Sequence, residues 1–162
     1  QCALLLESPE RAAGAGEALA RELSALAPDS VLAPALGGVI IGHEVARALG
    51  LPFRFAERAG ERLALRRGFE LAPGERVVII EDVVTTGKST LETAALAESA
   101  GAVVAGIGSI IDRSGGKHGF AVPFAALLPL DLPTYSPDAC PLCREGSEAV
   151  KPGSRPQGTS PA

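Results

Sequence analysis

Two acidic residues followed by a short hydroxyl-rich turn form the part of this sequence best suited to chemistry. Glu81 and Asp82 come directly after the apolar residues 77–80 (VVII) and precede the turn at 85–90 (TTGKST). Such a turn at a helix N-terminus offers backbone N–H groups, hydroxyl donors and a favourable dipole to an anion, above all a phosphate. The paired carboxylates are suited to accepting hydrogen bonds from vicinal sugar hydroxyls. We therefore predict that this stretch binds a ribose that carries a phosphate.

The surrounding residues predict how this stretch is positioned. Residues 77–80 are all β-branched and apolar, which is typical of a parallel strand buried on both faces. A helix should begin near Lys88 and run to about residue 100. Because ligands in open α/β sheets bind outside the carboxyl ends of the strands, the acids and the turn should face that crevice.

Strands alternating with helices predict an α/β fold whose mostly parallel central sheet is flanked by helices. Besides the elements above, we expect helices at 9–27 and 39–49, strands at 30–33, 52–57, 102–111 and 122–128, and the end of a strand within 1–7. Residues 58–68 (RAGERLALRRG) should form a hairpin or a mobile flap. We expect a single domain over 1–162, with a Pro-rich tail at 136–162 and disorder at 156–162.

The ending Gly87-Lys88-Ser89 resembles that of a Walker A loop, but the rest of that motif is missing. A Walker A loop needs a second glycine five residues before Gly87, and Asp82 occupies that position. Val83 and Val84 are also too bulky to let the backbone wrap a triphosphate. The sequence therefore argues against a P-loop ATPase.

Composition excludes several classes of function. The 162 residues carry a net charge of −4, which argues against a nucleic-acid-binding surface. No apolar run approaches the roughly 18 residues of a membrane span, and no signal peptide is visible. An odd number of cysteines, three, fits a reducing compartment better than a disulfide framework. We expect a cytoplasmic protein whose partners are small molecules, with no nucleic-acid or membrane partner.

Two other turns lie at the same predicted sheet edge. Gly37 and Gly38 follow the strand at 30–33 and allow the backbone to approach a ligand closely; a tight strand-to-helix turn is the alternative. Arg113 follows the strand at 102–111, where its guanidinium could bind a carboxylate in a bidentate manner. The alternative for Arg113 is a structural ion pair with Asp112.

The stretch VVIIEDVVTTGKS at 77–89 resembles the motif by which type I phosphoribosyltransferases bind 5-phosphoribosyl 1-pyrophosphate (PRPP). Within that family, ALGG at 35–38 and IIDRSGG at 110–116 resemble orotate phosphoribosyltransferases. The resemblance implies the type I phosphoribosyltransferase fold, with a flexible loop or hairpin. It also implies transfer of the phosphoribosyl group from PRPP to orotate, giving orotidine 5′-monophosphate and pyrophosphate in pyrimidine (UMP) biosynthesis. Mg²⁺ would be the cofactor, and a homodimer would share its sites between subunits.

The resemblance assigns roles to residues by position. PRPP would be bound by Leu36, Gly37, Gly38, Arg58, Glu81, Asp82, Val83, Val84, Thr85, Thr86, Gly87, Lys88 and Ser89, and orotate by Thr85 and Arg113. Arg58, Arg62 and Asp82 would be catalytic. Pyrophosphate leaving C1 of the ribose needs cations that close over it and exclude water, and a carboxylate favours the positive charge on the sugar. No dedicated protein ligand is assigned to Mg²⁺.

The sequence departs from this family in the hairpin and at its N-terminus. Residues 58–68 contain neither lysine nor histidine, although the resembled catalytic loop often supplies both. Arg66 and Arg67 are as readily explained as a solvated charged face. The chain begins at Gln1 and contains no Met, so we expect the hood-like N-terminal segment of the family to be missing. Without that segment, we expect PRPP binding with weak or absent turnover.

Cys140 and Cys143 form a CxxC pair within the expected tail. A structural zinc site needs four ligands, and neither a second CxxC nor a nearby histidine follows. We therefore expect a plain structural turn rather than a metal or redox site. Together with residues 150–155, this CPLC sequence resembles the C-terminal tail of many bacterial orotate phosphoribosyltransferases.

Two alternatives remain from sequence. The nearer is another type I phosphoribosyltransferase, acting on a purine or on uracil. The other is a non-catalytic regulator that senses PRPP. Regulators of that kind usually add a helix-turn-helix or a basic surface, neither of which is visible at a net charge of −4.

Overall fold

A computed structural model describes residues 1–133 and 135–147 of the chain. Contacts group the chain into two compact units, Cys2–Asp131 and Gln1 with Leu132–Ala162. The first unit carries every candidate site residue. The expected tail at 136–162 is described only as far as residue 147, so its expected disorder at 156–162 lies outside the described residues. A single domain over 1–162 stays a prediction.

The first unit is built on a six-stranded sheet with the order β3-β2-β1-β4-β5-β6. The strands are β1 Ser30–Pro34, β2 Phe53–Ala59, β3 Arg62–Leu65, β4 Arg76–Val84, β5 Val103–Asp112 and β6 Phe124–Pro129. All neighbouring strands pair in parallel except β2 and β3, which form an antiparallel hairpin. The predicted α/β fold with a mostly parallel sheet and a hairpin is therefore confirmed.

Helices cover both faces of this sheet. They are α1 Cys2–Leu6, α2 Pro9–Leu23, α3 Gly37–Leu49 and α4 Lys88–Ser99. Because side chains alternate along a strand, β4 supplies both cores. Val78 and Ile80 pack with α1, α2 and α3, whereas Val77 and Ile79 pack with Ala97 of α4. Because Glu81 and Asp82 continue the same strand after Ile80, their side chains also point to opposite faces of the sheet.

The expectation of a strand end within residues 1–7 was wrong. These residues form α1, in which the buried residues are Cys2 and Leu6. Because Cys2 and Leu6 are four residues apart, their side chains lie on the same face of the helix. Both join the core beside α2 and α3.

Element boundaries near the site also differ from the expected ones. β4 runs from Arg76 through both acids to Val84, so the strand is longer than the expected apolar run at 77–80 and includes Val83 and Val84. α3 begins at Gly37, two residues earlier than expected. α2 ends at Leu23 and continues as a 3₁₀ turn over Ser24–Leu26, just before Pro28, which has no N–H to donate.

The described part of the second unit contains a 3₁₀ turn at Pro137–Ala139 and a one-turn helix, α5 Pro141–Arg144. Throughout the described chain, helices are too short or too polar to cross a bilayer.

Candidate functional site

Two helix N-termini meet at the carboxyl edge of the sheet. β1 and β4 are parallel neighbours, α3 follows β1, and α4 follows β4 after residues 85–87. The N-cap residues are Leu36 and Gly87, and within the described chain neither helix has a side-chain cap. The N–H of Lys88 donates to the Thr86 hydroxyl at 3.4 Å, and that of Val39 donates to the carbonyl oxygen of Leu36 at 3.1 Å. In the described chain, the other N–H groups of the first turns are available to an anion.

Glu81 and Asp82 lie between these two helices and point to opposite faces of β4. Glu81 is only 6% exposed, and its Oε2 accepts a hydrogen bond from the Ser89 hydroxyl of α4 at 2.9 Å. Its Oε1 accepts from the backbone N–H of Asp82 at 3.1 Å. Asp82 points toward α3 and accepts from the N–H of Val83 at 2.8 Å.

The protonation of Glu81 follows from its surroundings. Burial, followed by the neighbouring charge of Asp82, raises the pKa of Glu81 from 4.5 to about 8, although the hydrogen bond from Ser89 opposes this shift. Glu81 is therefore mainly protonated at neutral pH in the ligand-free protein.

The glycine turn is held close to Asp82 by packing. A Cβ on Gly37 would lie 2.7 Å from Oδ1 of Asp82, and one on Gly38 would lie 2.6 Å from the carbonyl oxygen of Ile80. The Ala35–Leu36 peptide that precedes them is cis. Both glycines are thus required by the approach of α3 to the end of β4, which also brings the N-terminus of α3 to the acids.

The turn between β4 and α4 presents polar groups to solvent. Thr85, Thr86 and Lys88 are exposed, and Gly87 adopts the left-handed region at φ 73°. Ser89, expected to contact a phosphate, instead donates to Glu81 in this structure. The turn thus combines free hydroxyl and N–H donors with one hydroxyl that already bonds to an acid.

Arg113 is joined to this turn through its backbone. Its N–H donates to the carbonyl oxygen of Val84 at 2.7 Å, and its side chain is exposed. In the described residues no carboxylate oxygen lies within 4.0 Å of its guanidinium, because Asp112 instead accepts from the N–H of Ser114 at 2.8 Å. The alternative of an ion pair between Arg113 and Asp112 is therefore not supported.

The arginines of the hairpin have different environments. Nη1 of Arg58 donates to the carbonyl oxygen of Glu61 at 2.8 Å, and Nη2 lies 2.6 Å from Oε2 of Glu92 in α4. Arg67 instead makes a bidentate pair with Glu57 at 2.8 and 2.9 Å. Arg67 is thus part of the hairpin's own structure, whereas Arg58 links the hairpin to α4.

Arg62 is exposed at the start of β3 and lines a cleft of about 480 Å³ between the hairpin and α4. Neither Glu81 nor Asp82 lines this cleft. The structure therefore does not bring Arg62 together with the acids, and its catalytic role stays a prediction.

Sequence reasoning missed four residues that contact the site: Cys2, Glu92, His118 and Phe120. Glu92 had a local signal, since it follows Lys88 by one helical turn, and their charged groups lie 4.0 Å apart. The other three come from distant parts of the chain. Sγ of Cys2 lies 3.9 Å from the carbonyl oxygen of Asp82, and burial raises the pKa of this thiol.

The cysteine pair of the second unit lies on a one-turn helix, and its expected role as a plain structural turn stays a prediction. Cys140 is the N-cap of α5, and Cys143 lies within it. The N–H of Cys143 lowers the pKa of the Cys140 thiol. Over residues 1–133 and 135–147, no group of three or more His, Cys, Asp or Glu side chains is placed to hold a metal ion.

A family model of the phosphoribosyl transferase domain matches residues 3–118, a range that contains both acids, both turns, the hairpin and Arg113. The chain belongs to the phosphoribosyl transferase family. The resemblance to phosphoribosyltransferases seen in residues 77–89 is thereby confirmed.

Relatives within the phosphoribosyl transferase family can be compared at two levels. The chain is 53% identical over 155 residues to an orotate phosphoribosyltransferase of Thermotoga maritima, which covers 96% of this chain and 83% of that protein. It resembles the solved adenine phosphoribosyltransferase of Rhodothermus marinus at 25% identity and a TM-score of 0.68, over 78% of this chain and 83% of that one. It resembles the orotate phosphoribosyltransferase of Aeropyrum pernix at 22% identity and a TM-score of 0.65, over 78% and 75%. Because an adenine enzyme and an orotate enzyme share this fold, the fold alone does not identify which base the chain acts on.

Proposed function

We propose that this chain is an orotate phosphoribosyltransferase, transferring the phosphoribosyl group of PRPP to orotate with release of pyrophosphate. The observation that carries the proposal is the position of Asp82 and Glu81 between the N-termini of α3 and α4. The high identity to the Thermotoga maritima orotate enzyme supports orotate as the base.

Each part of PRPP has a matching part of the site. Residues 85–89 supply N–H groups and hydroxyls for the 5′-phosphate, and the turn at 36–38 supplies the N-terminus of α3 for the pyrophosphate. Glu81 and Asp82 accept hydrogen bonds from the ribose hydroxyls between them. When Ser89 turns to the phosphate, Oε2 of Glu81 loses its present donor and becomes free for a ribose hydroxyl.

Catalysis then depends on positioning and charge. As the bond from C1 to pyrophosphate breaks, the ribose gains oxocarbenium character, and the nearby carboxylate of Asp82 favours this positive charge. Arg58 stabilises the leaving pyrophosphate once its guanidinium turns from Glu92, and Arg62 contributes a second cation. Arg113 and Thr85 orient orotate so that its ring nitrogen forms a bond to C1 as the bond to pyrophosphate breaks, and the proton of that nitrogen passes to the departing pyrophosphate or to solvent. No protein nucleophile is required.

The acidic residues also fit the Mg²⁺ that this reaction uses. Mg²⁺ prefers oxygen ligands, keeps several waters and binds through one or two carboxylates together with substrate phosphates. Asp82 faces the turn at Gly37, which suits an ion carried by the pyrophosphate. When bound, Mg²⁺ neutralises charge on the leaving pyrophosphate.

We further propose a cytoplasmic homodimer in pyrimidine biosynthesis, whose hairpins reach the partner's site. The exposed arginines of the hairpin support the shared site, and the odd cysteine count suits a reducing compartment.

Calorimetry and a base panel test the proposed function. PRPP with Mg²⁺ should bind the protein alone, orotate should bind the preloaded protein, and pyrophosphate should be released with orotate but not with adenine, hypoxanthine or uracil. Asp82→Asn is the control and should bind PRPP at least about tenfold more weakly, because it loses charged hydrogen bonds to the ribose. Turnover with another base would contradict orotate. Binding without turnover of any base, both in this chain and in a version extended at its N-terminus, would favour a PRPP sensor.

A further inference from the structure

We propose that residues 113–120, together with the aromatic ring of Phe120, hold the phosphate-binding turn in its binding conformation before the ligand arrives. Phe120 is then a positioning residue, because it acts through Gly87 and does not touch the substrate. This inference rests on the proposed function, since it assumes that residues 85–89 bind the 5′-phosphate of PRPP.

The first observation is the contact between this segment and Gly87. A Cβ on Gly87 would lie 2.7 Å from the carbonyl oxygen of His118, and 2.9 and 3.2 Å from Cε1 and Cζ of Phe120. The backbone of Gly87 is therefore in direct contact with both residues. Gly87 also adopts φ 73°, a conformation that residues other than glycine seldom adopt.

The second observation is that the segment is stabilised by its own hydrogen bonds. The N–H of Gly116 donates to the hydroxyl of Ser114 at 3.1 Å, and the N–H of Phe120 donates to Nδ1 of His118 at 3.1 Å. At its start, the N–H of Arg113 donates to the carbonyl oxygen of Val84. The segment is thus fixed to the turn just before Thr85 and again at Gly87.

The third observation is a cluster of three rings behind Gly87. His118 and Phe120 stack with ring centroids 4.3 Å apart, and Phe124 of β6 meets them edge-on at 4.9 and 5.2 Å. Because β6 pairs with β5 in the sheet, the cluster connects Gly87 to the rigid part of the fold. Aromatic contacts of this kind have defined geometry as well as apolar area.

These contacts matter because the side-chain hydrogen bonds of the turn itself lie at its α4 end, where Ser89 donates to Glu81 at 2.9 Å and the N–H of Lys88 donates to Thr86 at 3.4 Å. α4 lacks a side-chain cap in the described chain, and Thr85 and Thr86 are exposed. A turn that is already ordered binds its ligand more tightly, because less conformational entropy is lost on binding. The segment 113–120 begins with Arg113, the proposed orotate contact. The same segment therefore positions both that arginine and the phosphate-binding turn.

The test compares two ligands that use different parts of the site. Ribose 5-phosphate requires the turn at 85–89, whereas inorganic pyrophosphate with Mg²⁺ requires the turn at 36–38. In Phe120→Leu, calorimetry should give a dissociation constant for ribose 5-phosphate about tenfold higher than wild type, with pyrophosphate affinity within about twofold. The KM for PRPP should rise by a similar factor, with a smaller change in kcat.

Phe69→Leu is the matched control. Phe69 is also half-buried and packs edge-on against Phe55 at 5.2 Å, and it has no contact with Gly87. The control should bind both ligands as wild type does. His118→Ala removes a ring and the acceptor for the N–H of Phe120, and should weaken ribose 5-phosphate binding about threefold. This variant decides the question if Phe120→Leu does not fold.

The outcomes separate this inference from the proposed function. If wild type does not bind ribose 5-phosphate or PRPP, the proposed function is wrong. If wild type binds them and Phe120→Leu and His118→Ala bind equally well, the positioning role is wrong. Equal weakening of ribose 5-phosphate and pyrophosphate binding would also overturn it, because that result indicates a general loss of structure.

Discussion

Glu81 and Asp82 are adjacent in sequence but lie in different environments because neighbouring side chains of a strand point to opposite faces. Glu81 is buried against α4 and bonds to Ser89, whereas Asp82 faces α3 and Gly37. This difference explains why the pKa of Glu81 rises to about 8. Glu81 therefore keeps its proton to a higher pH than an exposed glutamate does.

The stability of the ligand-free protein should depend on pH through Glu81. Between about pH 4.5 and 8, Glu81 is ionised in the unfolded chain and protonated in the folded one. The folded state then binds more protons, so the free energy of unfolding falls as pH rises through this window. Glu81→Gln should remove that fall and be more stable than wild type at pH 8 by up to a few kcal/mol, at about 1.4 kcal/mol per pH unit.

Urea unfolding at pH 5, 6.5 and 8 measures this effect. The control is Glu98→Gln, which changes an exposed glutamate of α4 and should keep the wild-type pH dependence. Parallel pH profiles for wild type and Glu81→Gln would contradict the buried, protonated carboxyl.

Gly37→Ala tests the close approach of α3 to the acids. The new Cβ would lie 2.7 Å from Oδ1 of Asp82, so the carboxylate or the helix must move. We expect PRPP affinity to fall at least about tenfold, since a small displacement at a binding site has a large effect. Calorimetry with PRPP and Mg²⁺ measures it.

The matched control for that substitution is Gly14→Ala. A Cβ on Gly14 meets nothing within 4 Å, and the residue lies within α2. This variant should bind PRPP normally and should be more stable by about 1 kcal/mol, because alanine favours a helix. Unchanged PRPP affinity in Gly37→Ala would show that Asp82 does not need its present position.

At the level of elements, the hairpin and α4 are connected by one charged contact. Arg58 lies 2.6 Å from Glu92, and Lys88 lies 4.0 Å from the same carboxylate. Glu92 therefore links the hairpin to the first turn of α4. Arg58 and Lys88 therefore share the single carboxylate of Glu92. A pyrophosphate carries more negative charge than this carboxylate and can draw Arg58 away from it.

Arg58→Gln should reduce kcat about a hundredfold, because a missing charged donor to the leaving group raises the barrier. Arg67→Gln, in the same hairpin, removes only the pair with Glu57 and should keep kcat near wild type. Steady-state pyrophosphate release measures both variants. A similar loss in the two would indicate that the hairpin as a whole, and not Arg58, matters.

At the level of the whole Cys2–Asp131 unit, the position of β4 in the sheet determines the site. β4 lies between β1 and β5, and both of its faces are covered by helices. Its carboxyl end is therefore flanked by two βα turns and by the segment after β5. A phosphate, a sugar and a base can be bound side by side along this edge.

A shared site between subunits predicts that two inactive variants restore activity when mixed. In a random mixture of Arg58→Gln and Asp82→Asn, half of the dimers are mixed, and each mixed dimer has one site with both native residues. About a quarter of the wild-type activity should appear, because the two subunits of a two-fold dimer contribute equally. Sedimentation velocity of each variant confirms the dimer first, and a mixture with no added activity would place Arg58 in its own subunit's site.

Much of the site was predictable because it is local in sequence. The apolar run of β4, the two acids, the turn and the start of α4 follow one another directly, and each has its own pattern. Contacts such as Asp82 with Gly37, Arg58 with Glu92 and Phe120 with Gly87 were not predicted. They join residues far apart in the chain, and the types of these residues give no sign of which partner each one contacts.

The sequence by itself determined the strand, acids, turn and helix that we propose bind a phosphorylated sugar, because their signals are hydrophobic periodicity, glycine and helix-start residues. Only the tertiary structure decided that residues 1–7 join the core as a helix, that Glu81 is protonated, and that Arg58 and Gly87 have their present partners. The physical reason is that desolvation and packing depend on which elements the strand order brings together, and neighbouring residues in the chain do not specify that order.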